Sequence, residues 1–166
     1  MKRVVAALLF VALVVGALVL TVGDQDERRE AAVPALSVTR MDGSGDFALT
    51  QLASASTPTL LWFWAPWCTV CNGEAPKIQR LADEAGDRLA VVAIGGRDEL
   101  ANGPEFVARH ELTTPTLLFD ESMQVWEHYR IPGQPGAILL DREGRERGRW
   151  LGAFDPNLAL EAAEEL

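Results

Sequence analysis

The amino-acid sequence predicts an α/β domain in which helices cover both faces of a sheet. Three observations support this class. From Leu36 onward, short apolar runs alternate with segments of helical spacing, the order typical of α/β domains. The run TLLWFW (59–64) is apolar almost throughout, as expected for a strand buried on both faces. Ile78, Leu81 and Ala85 then recur at helical spacing and indicate one buried stripe.

The remaining elements follow from the same patterns. Two short strands around the turn MDGSG predict a leading hairpin, and the proline that opens PEFVARHEL suits the first position of a helix. Ser122 is predicted to cap a short helix, and Trp62, Trp64, Trp126 and Trp150 are predicted core residues. The predicted strands are 36–40, 46–52, 59–64, 89–96, 116–120, 137–141 and 147–152, and the predicted helices are 68–85, 104–112, 122–129 and 157–166.

The charge of the chain limits the classes of function. The 166 residues carry a formal charge of −9, and the four basic and four acidic residues of 1–34 cancel, so the whole excess lies in 35–166. No basic stripe is present, and nucleic-acid binding is therefore not expected. An acidic, solvated surface that aids solubility accounts for the charge.

The N-terminal segment determines the expected compartment. Lys2 and Arg3 precede the nineteen uncharged residues 4–22, close to the roughly 20 residues that a helix needs to cross a bilayer. A cleaved signal peptide usually has a shorter apolar region and a small-residue cleavage site. The length of this run therefore favours an uncleaved signal anchor, and a cleaved signal peptide is the alternative. Basic residues before the run keep the N-terminus in the cytoplasm. We therefore expect a membrane anchor at 1–23, a polar linker at 24–35 and an extracytoplasmic domain at 36–166.

The two cysteines of the chain lie three residues apart in WFWAPWCTVC (62–71). The reactive species in disulfide exchange is the thiolate, which a helix N-terminus stabilises. Cys68 lies where the apolar strand ends and the helix begins, and Cys71 follows one turn later. The pattern predicts a redox dithiol with Cys68 as the nucleophile and Cys71 as the resolving thiol.

Other uses of a C-x-x-C pair fit less well. Structural zinc needs four ligands, and His110 and His128 are interpreted as ordinary helix residues without ligand spacing. A Cu(I) clamp on the two thiolates is chemically possible and stays as the alternative of another class, without a third ligand at suitable spacing. A thiol peroxidase would need Thr or Ser ahead of the reactive cysteine, where this chain has Trp-Ala-Pro-Trp. No metal or other cofactor is expected.

The segment WFWAPWCTVC resembles the active-site segment of the thioredoxin superfamily, and Pro76 lies where that fold interrupts its active-site helix. Glu74, the leading hairpin and the segment VWEHYRIPGQPGAILLDREG are similar to the membrane-anchored, extracytoplasmic branch of TlpA-, ResA- and DsbE-like thiol–disulfide oxidoreductases. The resemblance covers residues 36–160. It implies a thioredoxin-like fold: a central mixed sheet with helices on both faces and an added N-terminal β-hairpin.

The resemblance also implies a substrate-binding surface around the dithiol. In this superfamily a cis-proline lies opposite the nucleophile, and Pro135 fits better than Pro115 because one strand, a turn, another strand and one helix follow it. The backbone of Gln134 would pair with substrate, and Trp67 would shield the thiolate or contact a partner. Gly136 departs from the threonine that is more common in the family.

Glu74 is predicted to transfer protons. Cytosolic thioredoxin has an aspartate six residues before its first cysteine, where this chain has the apolar, untitratable Trp62. A partly desolvated Glu74, one turn beyond Cys71, would have a raised pKa and could exchange a proton with Cys71. The alternative is a surface glutamate that interacts with the helix dipole.

The implied activity is thiol–disulfide exchange with exported proteins. Thr69 and Val70 between the cysteines include no charged or imidazole donor for Cys68, which favours a reductive or intermediate potential. The expected partners are exported protein thiols or disulfides, apocytochrome c among them, and a membrane redox protein that recycles the dithiol. The alternative is a DsbE-like oxidant that helps secreted proteins to fold.

Overall fold

The computed structural model describes residues 33–166. The predicted anchor at 1–23 and most of the predicted linker lie outside these residues. Within 33–166, no helix combines the length and the apolarity that crossing a bilayer requires. The strands are β1 Ser37–Arg40, β2 Asp46–Ala48, β3 Thr59–Trp64, β4 Ala90–Gly96, β5 Thr116–Asp120, β6 Gly136–Leu140 and β7 Glu146–Leu151. The α-helices are α1 Thr69–Ala85, α2 Gly103–Arg109, α3 Gln124–His128 and α4 Asn157–Glu164, and 3₁₀ turns occupy Leu49–Ser54, Gly86–Arg88 and Leu100–Asn102.

The strands form one mixed sheet in the order β2-β1-β5-β4-β3-β6-β7. The central strand β3 is parallel to β4 and antiparallel to β6. β4 is parallel to β5, and the β1–β2 hairpin adds to the far side of β5 in antiparallel pairing. The predicted mixed sheet with an added N-terminal hairpin is confirmed.

Strand β3 lies between two separate cores because its side chains alternate between the faces of the sheet. Leu60, Trp62 and Trp64 pack into a core that α1, α2 and α4 cover. Leu61 and Phe63 point to the opposite core, which α3 and the 3₁₀ turn after β2 cover. All six side chains of β3 are buried. Helices therefore pack on both faces of the sheet, as predicted.

Helix α1 begins one residue later than predicted. Cys68 has an extended backbone (φ −77°, ψ 110°) and occupies the N-cap position, so the first helical residue is Thr69. The predicted stripe of Ile78, Leu81 and Ala85 is buried. Pro76 lies inside the helix, at the place that the resemblance predicted.

The cap of helix α3 differs from the prediction. Met123 precedes the helix with a left-handed backbone (φ 62°). Ser122 lies one residue before the N-cap position, and its Oγ accepts from the N–H of Gln124, the first helical residue, at 3.4 Å while donating to Asp120 Oδ1. The next two amides go to Asp120 at the end of β5, whose Oδ2 accepts from Val125 at 2.8 Å and Trp126 at 3.2 Å. The predicted role of Ser122 is thus only partly realised, because the buried carboxylate of Asp120 is the stronger acceptor.

Three further predictions need correction. The second strand of the leading hairpin ends at Ala48, because the chain then turns into a 3₁₀ segment. The predicted helix 104–112 ends at Arg109. Trp150 is half-buried rather than part of the core, because β7 is an edge strand; its ring stacks on Phe154 at 5.3 Å between centroids.

Candidate active site

Cys68 and Cys71 form a disulfide at the N-terminus of α1. The sulfur atoms are 2.20 Å apart and the Cα atoms 5.2 Å apart. Cys68 Sγ also accepts a hydrogen bond of 3.0 Å from the backbone N–H of Cys71. After reduction, this N–H and the helix N-terminus are positioned to stabilise a thiolate at Cys68.

The two sulfur atoms differ in accessibility. Cys68 is 5% exposed, whereas Cys71 is fully buried. A sulfur that meets a partner from solution must be reachable, so the arrangement favours Cys68 as the first nucleophile. Cys71, on the inner side, is the sulfur that could attack a mixed disulfide at Cys68.

Two apolar side chains next to the cysteines are exposed. Trp67 is 59% exposed and Val70 is 49% exposed. Large apolar side chains at the surface around a reactive group indicate a contact surface for a partner. The indole of Trp67 is not free, since its Nε1–H donates to the carbonyl of Arg97 at 3.1 Å.

The peptide bond between Gln134 and Pro135 is cis, so the prediction of the cis-proline is confirmed. Pro115 directly precedes β5, as expected. Gly136, the first residue of β6, pairs with Phe63 near the end of β3. The cis-proline therefore lies at the end of the sheet from which the chain leads to Cys68.

Gln134 has unused hydrogen-bonding groups beside this proline. Its backbone N–H and C=O make no hydrogen bond within residues 33–166, and its Oε1 is buried without a partner in the same part of the chain. The carbonyl of Pro135, by contrast, accepts from Gly152 at 2.9 Å. Gln134 thus offers a free backbone donor and acceptor directly before the cis-proline.

Glu74 is buried beneath the dithiol on the inner face of α1. It is 3% exposed, which contradicts the alternative of a surface glutamate. Its Oε2 accepts from Trp62 Nε1 at 2.6 Å, and its Oε1 accepts from the backbone N–H of Phe154 at 3.0 Å. Burial raises the pKa of Glu74 above its ordinary value, although both donors favour the carboxylate.

Asn72 and His110 form a contact with the site that the sequence did not reveal. The Asn72 side-chain Nδ2–H donates to the carbonyl of Cys68 at 2.8 Å, and Asn72 Oδ1 lies 2.7 Å from His110 Nε2. Burial lowers the pKa of His110, and the nearby Arg109 acts in the same direction. A neutral His110 with its proton on Nε2 satisfies this geometry. Residues 72 and 110 lie on different elements, so no local pattern connects them.

The described residues offer little for a metal ion. Within 33–166, no group of three or more His, Cys, Asp or Glu side chains is arranged to hold one. A Cu(I) ion at the dithiol would have the two sulfurs of Cys68 and Cys71 as its protein ligands.

A thioredoxin-like sheet, a C-x-x-C disulfide at a helix N-terminus and an adjacent cis-proline define the class of thioredoxin-fold thiol–disulfide oxidoreductases. The chain belongs to the AhpC/TSA family, whose model matches residues 30–148.

Curated relatives have secretory or redox names. Soluble secreted antigen MPT53 of Mycobacterium tuberculosis is 31% identical over 119 residues, which cover 72% of this chain and 63% of the antigen. Thiol:disulfide interchange protein DsbE of Escherichia coli is 26% identical over 151 residues, 87% of this chain and 79% of DsbE. Thioredoxin-like protein YneN of Bacillus subtilis is 32% identical over 60% of this chain and 64% of YneN. The match thus spans less than two thirds of MPT53 and of YneN.

Solved structures agree with this assignment. DsbF of Mycobacterium tuberculosis, determined in mixed oxidised and reduced forms, has a TM-score of 0.71 and 30% identity, and the match covers 80% of this chain and 98% of DsbF. A secreted disulfide oxidoreductase of the same organism, homologous to E. coli DsbE, has a TM-score of 0.66 and 26% identity, with 80% and 96% coverage.

Proposed function

We propose that the chain is an extracytoplasmic thiol–disulfide oxidoreductase of the DsbE type, attached to the membrane by a helix at 1–23. The observation that carries the proposal is the Cys68–Cys71 disulfide at the N-terminus of α1, with Cys68 the more accessible sulfur. Relatives named as a secreted antigen and as interchange proteins support the location and the activity.

The exchange proceeds in two steps. The Cys68 thiolate attacks one sulfur of a substrate disulfide, a Cys68–substrate disulfide forms, and the other substrate sulfur leaves as a thiolate. Cys71 loses its proton and attacks Cys68 Sγ, which restores the Cys68–Cys71 disulfide and releases the second substrate thiolate. Two electrons pass from the protein to the substrate, and the same steps in reverse oxidise a dithiol.

Glu74 is the proposed acceptor of the Cys71 proton. It lies one turn beyond Cys71 on the same buried side of α1. Its raised pKa lies closer to that of a thiol than an exposed carboxylate's would, which makes proton transfer between them easier. Trp62 and Phe154 keep the carboxylate in one orientation through their hydrogen bonds.

The substrate would lie across the exposed Trp67 and the cis-proline. Free backbone groups at Gln134 can pair with an extended segment of the partner, as an added strand does. The exposed faces of Trp67 and Val70 then contact apolar side chains that flank the partner's cysteine.

We propose that electrons flow outward, from a membrane reductase through this dithiol to exported proteins such as apocytochrome c. The Cys71 N–H is the donor to Cys68 Sγ, and no charged side chain within residues 33–166 hydrogen-bonds to that sulfur. A thiolate without a charged donor is less stabilised, which makes the dithiol a better reductant. An oxidising role in the folding of secreted proteins is the alternative, and a reduction potential near about −120 mV would support it.

Trapping of mixed disulfides in cells tests the proposal. Full-length Cys71→Ser, in which the resolving thiol is absent, is expected to accumulate adducts with extracytoplasmic proteins that dithiothreitol releases. Cys68→Ser is the matched control and is expected to form none. Equal adducts with both variants, or none with either, would refute the exchange mechanism. Adducts confined to cytoplasmic proteins would refute the location.

A further inference from the structure

Arg97 is hydrogen-bonded to two loops: residues 65–67, which precede Cys68, and residues 131–135, which end in the cis-proline. It directly follows β4, whose last residues lie beside the end of β3. Its carbonyl accepts from Trp67 Nε1 at 3.1 Å, and its Nη2–H donates to the carbonyl of Pro132 at 2.8 Å. One residue is therefore bonded both to the segment before Cys68 and to the segment before the cis-proline.

The conformation of Arg97 makes both contacts possible. Its backbone is left-handed, with φ of 57°, which is uncommon for a residue other than glycine. In this conformation the carbonyl reaches Trp67 while the side chain reaches the other loop. The backbone N–H of Arg97 meanwhile lies 3.2 Å from Met123 Sδ.

A buried aromatic ring supports the guanidinium group. The Arg97 Cζ atom lies 5.4 Å from the centroid of the Trp126 ring, within the range of a cation–π contact. Trp126 is almost fully buried, so this support is fixed. Gly96 lets the ring approach the strand: a Cβ added at Gly96 would lie 2.6 Å from Trp126 Nε1.

We propose that Arg97 is a positioning residue that holds Trp67 and the loop 131–135 in the arrangement that receives a protein substrate. This inference rests on the proposed exchange function. Trp67 is largely exposed and the backbone groups of Gln134 are unpaired within residues 33–166, so Arg97 supplies hydrogen bonds to two segments that would contact the substrate. Fixing them before binding lowers the entropy cost of docking.

The effect of Arg97 depends on the size of the substrate. A polypeptide lies across both loops, whereas a small disulfide needs access to the Cys68 sulfur alone. Within residues 33–166, Arg97 makes no hydrogen bond to either cysteine. Loss of its side chain is therefore expected to weaken docking of polypeptides and to leave both the reactivity and the potential of the dithiol unchanged.

Arg130 provides a matched control. It is also a left-handed arginine, with φ of 52°, and it lines the same surface cavity as Arg97. Unlike Arg97, its side chain makes no hydrogen bond or ion pair within residues 33–166. Arg130→Ala thus removes an equal charge and volume without disconnecting the loops.

The experiment compares full-length wild type, Arg97→Ala, Arg97→Lys and Arg130→Ala. The substrates are insulin, a polypeptide disulfide, and bis(hydroxyethyl) disulfide, with KM and kcat determined for each. For Arg97→Ala we expect the KM for insulin to rise about five- to tenfold, the effect of losing one ordinary hydrogen bond. We expect unchanged kcat, unchanged small-disulfide rates and an unchanged potential. Arg97→Lys keeps a cation and a donor and should recover part of the loss, and Arg130→Ala should match wild type.

Several outcomes overturn the inference. One is a KM for insulin that Arg97→Ala leaves unchanged, or that Arg97→Ala and Arg130→Ala raise equally. Another is an equal slowing of bis(hydroxyethyl) disulfide, which would place the effect of Arg97 on the dithiol. If Arg97→Ala does not fold, Arg97→Lys replaces it in the test. A folded Arg97→Lys whose KM for insulin equals that of wild type then overturns the inference. A wild-type chain that exchanges with neither substrate refutes the proposed function as well, whereas an active wild type beside an unaffected Arg97→Ala refutes this inference alone.

Discussion

Trp62 Nε1 donates a hydrogen bond of 2.6 Å to Oε2 of Glu74, so the central strand contacts the buried carboxylate of the active-site helix through an indole. By resemblance, cytosolic thioredoxin has a carboxylate of its own at this strand position. In this chain the carboxylate is on the helix and the strand supplies the donor. The arrangement keeps Glu74 buried, oriented and next to Cys71.

Glu74→Gln is expected to slow the resolving step. If Glu74 accepts the Cys71 proton, its loss should cost about 100-fold, the lower end of what general acid–base catalysis contributes. Rapid mixing of the reduced chain with a disulfide peptide, followed across a range of pH, measures this step. Glu84→Gln, an exposed glutamate on the same helix, is the control and should behave as wild type. Equal rates for the two variants would remove Glu74 from the mechanism.

The stability of the protein should depend on the ionisation of Glu74. Burial raises the folded-state pKa above the ordinary 4.5, so between these two values the folded state binds more protons than the unfolded state. The free energy of unfolding therefore falls as pH rises through this window. Denaturant titrations at several pH values give the free energy of unfolding of wild type and of Glu74→Gln. As the pH increases above 4.5, the value for wild type should fall relative to that for Glu74→Gln. A difference that grows in favour of wild type would contradict the raised pKa.

Trp62→Phe and Trp64→Phe form a matched pair. Both indoles are buried, and their rings stack at 6.3 Å. Trp62 Nε1 donates to Glu74, whereas Trp64 Nε1 has no partner within residues 33–166. Trp62→Phe removes a donor that favours the carboxylate, so the pKa of Glu74 should rise further, and Trp64→Phe should leave it in place. NMR titration of the Glu74 carboxyl carbon measures both; equal shifts would mean that packing, not the hydrogen bond, sets this pKa.

Asp141 should stabilise the hairpin between β6 and β7 independently of the redox site. Burial alone would raise its pKa, but hydrogen bonds from the Arg145 N–H and from the guanidinium groups of Arg145 and Arg147 outweigh burial and hold the pKa below 3.8. Asp141→Asn is therefore expected to cost about 2 kcal/mol at neutral pH.

This contribution should be present above pH 3.8 and disappear as pH falls through the lowered pKa. Thermal or denaturant unfolding at several pH values checks it. Glu143→Gln, at the exposed side of the same turn, should change stability by less than about 1 kcal/mol. Unchanged stability of Asp141→Asn, or slower exchange by that variant, would contradict a purely structural role.

Elements with a strong local signal were predictable from the sequence. The bounds of β3 and β5 match the predicted strands, and for the fully buried β3 the reason is that continuous burial requires continuous apolar sequence. Pro135 could be chosen over Pro115 by counting the elements that follow it. Cys68 could be placed at the helix N-terminus, since an apolar strand ends just before it.

Contacts between distant residues were not predictable in the same way. The Trp62–Glu74 and Asn72–His110 pairs join different elements, and their side-chain types also suit other roles. Trp62 was expected to be a plain core residue because strand alternation shows that it is buried but does not show what its N–H contacts. At α3, Asp120 and Ser122 share the amides of the first turn: Ser122 Oγ accepts from Gln124 alone, and the buried Asp120 accepts from Val125 and Trp126.

The equilibrium reduction potential of the Cys68–Cys71 pair decides whether the dithiol delivers electrons to exported proteins or takes electrons from them. The full-length chain is equilibrated in glutathione and dithiothreitol buffers, and the fraction of free thiol is measured by alkylation. We expect one reversible two-electron transition well below about −200 mV, which fits delivery of electrons to exported proteins. A potential near about −120 mV, that of a strong oxidant, would contradict the reductive direction. The absence of any reversible two-electron transition would contradict the dithiol mechanism itself.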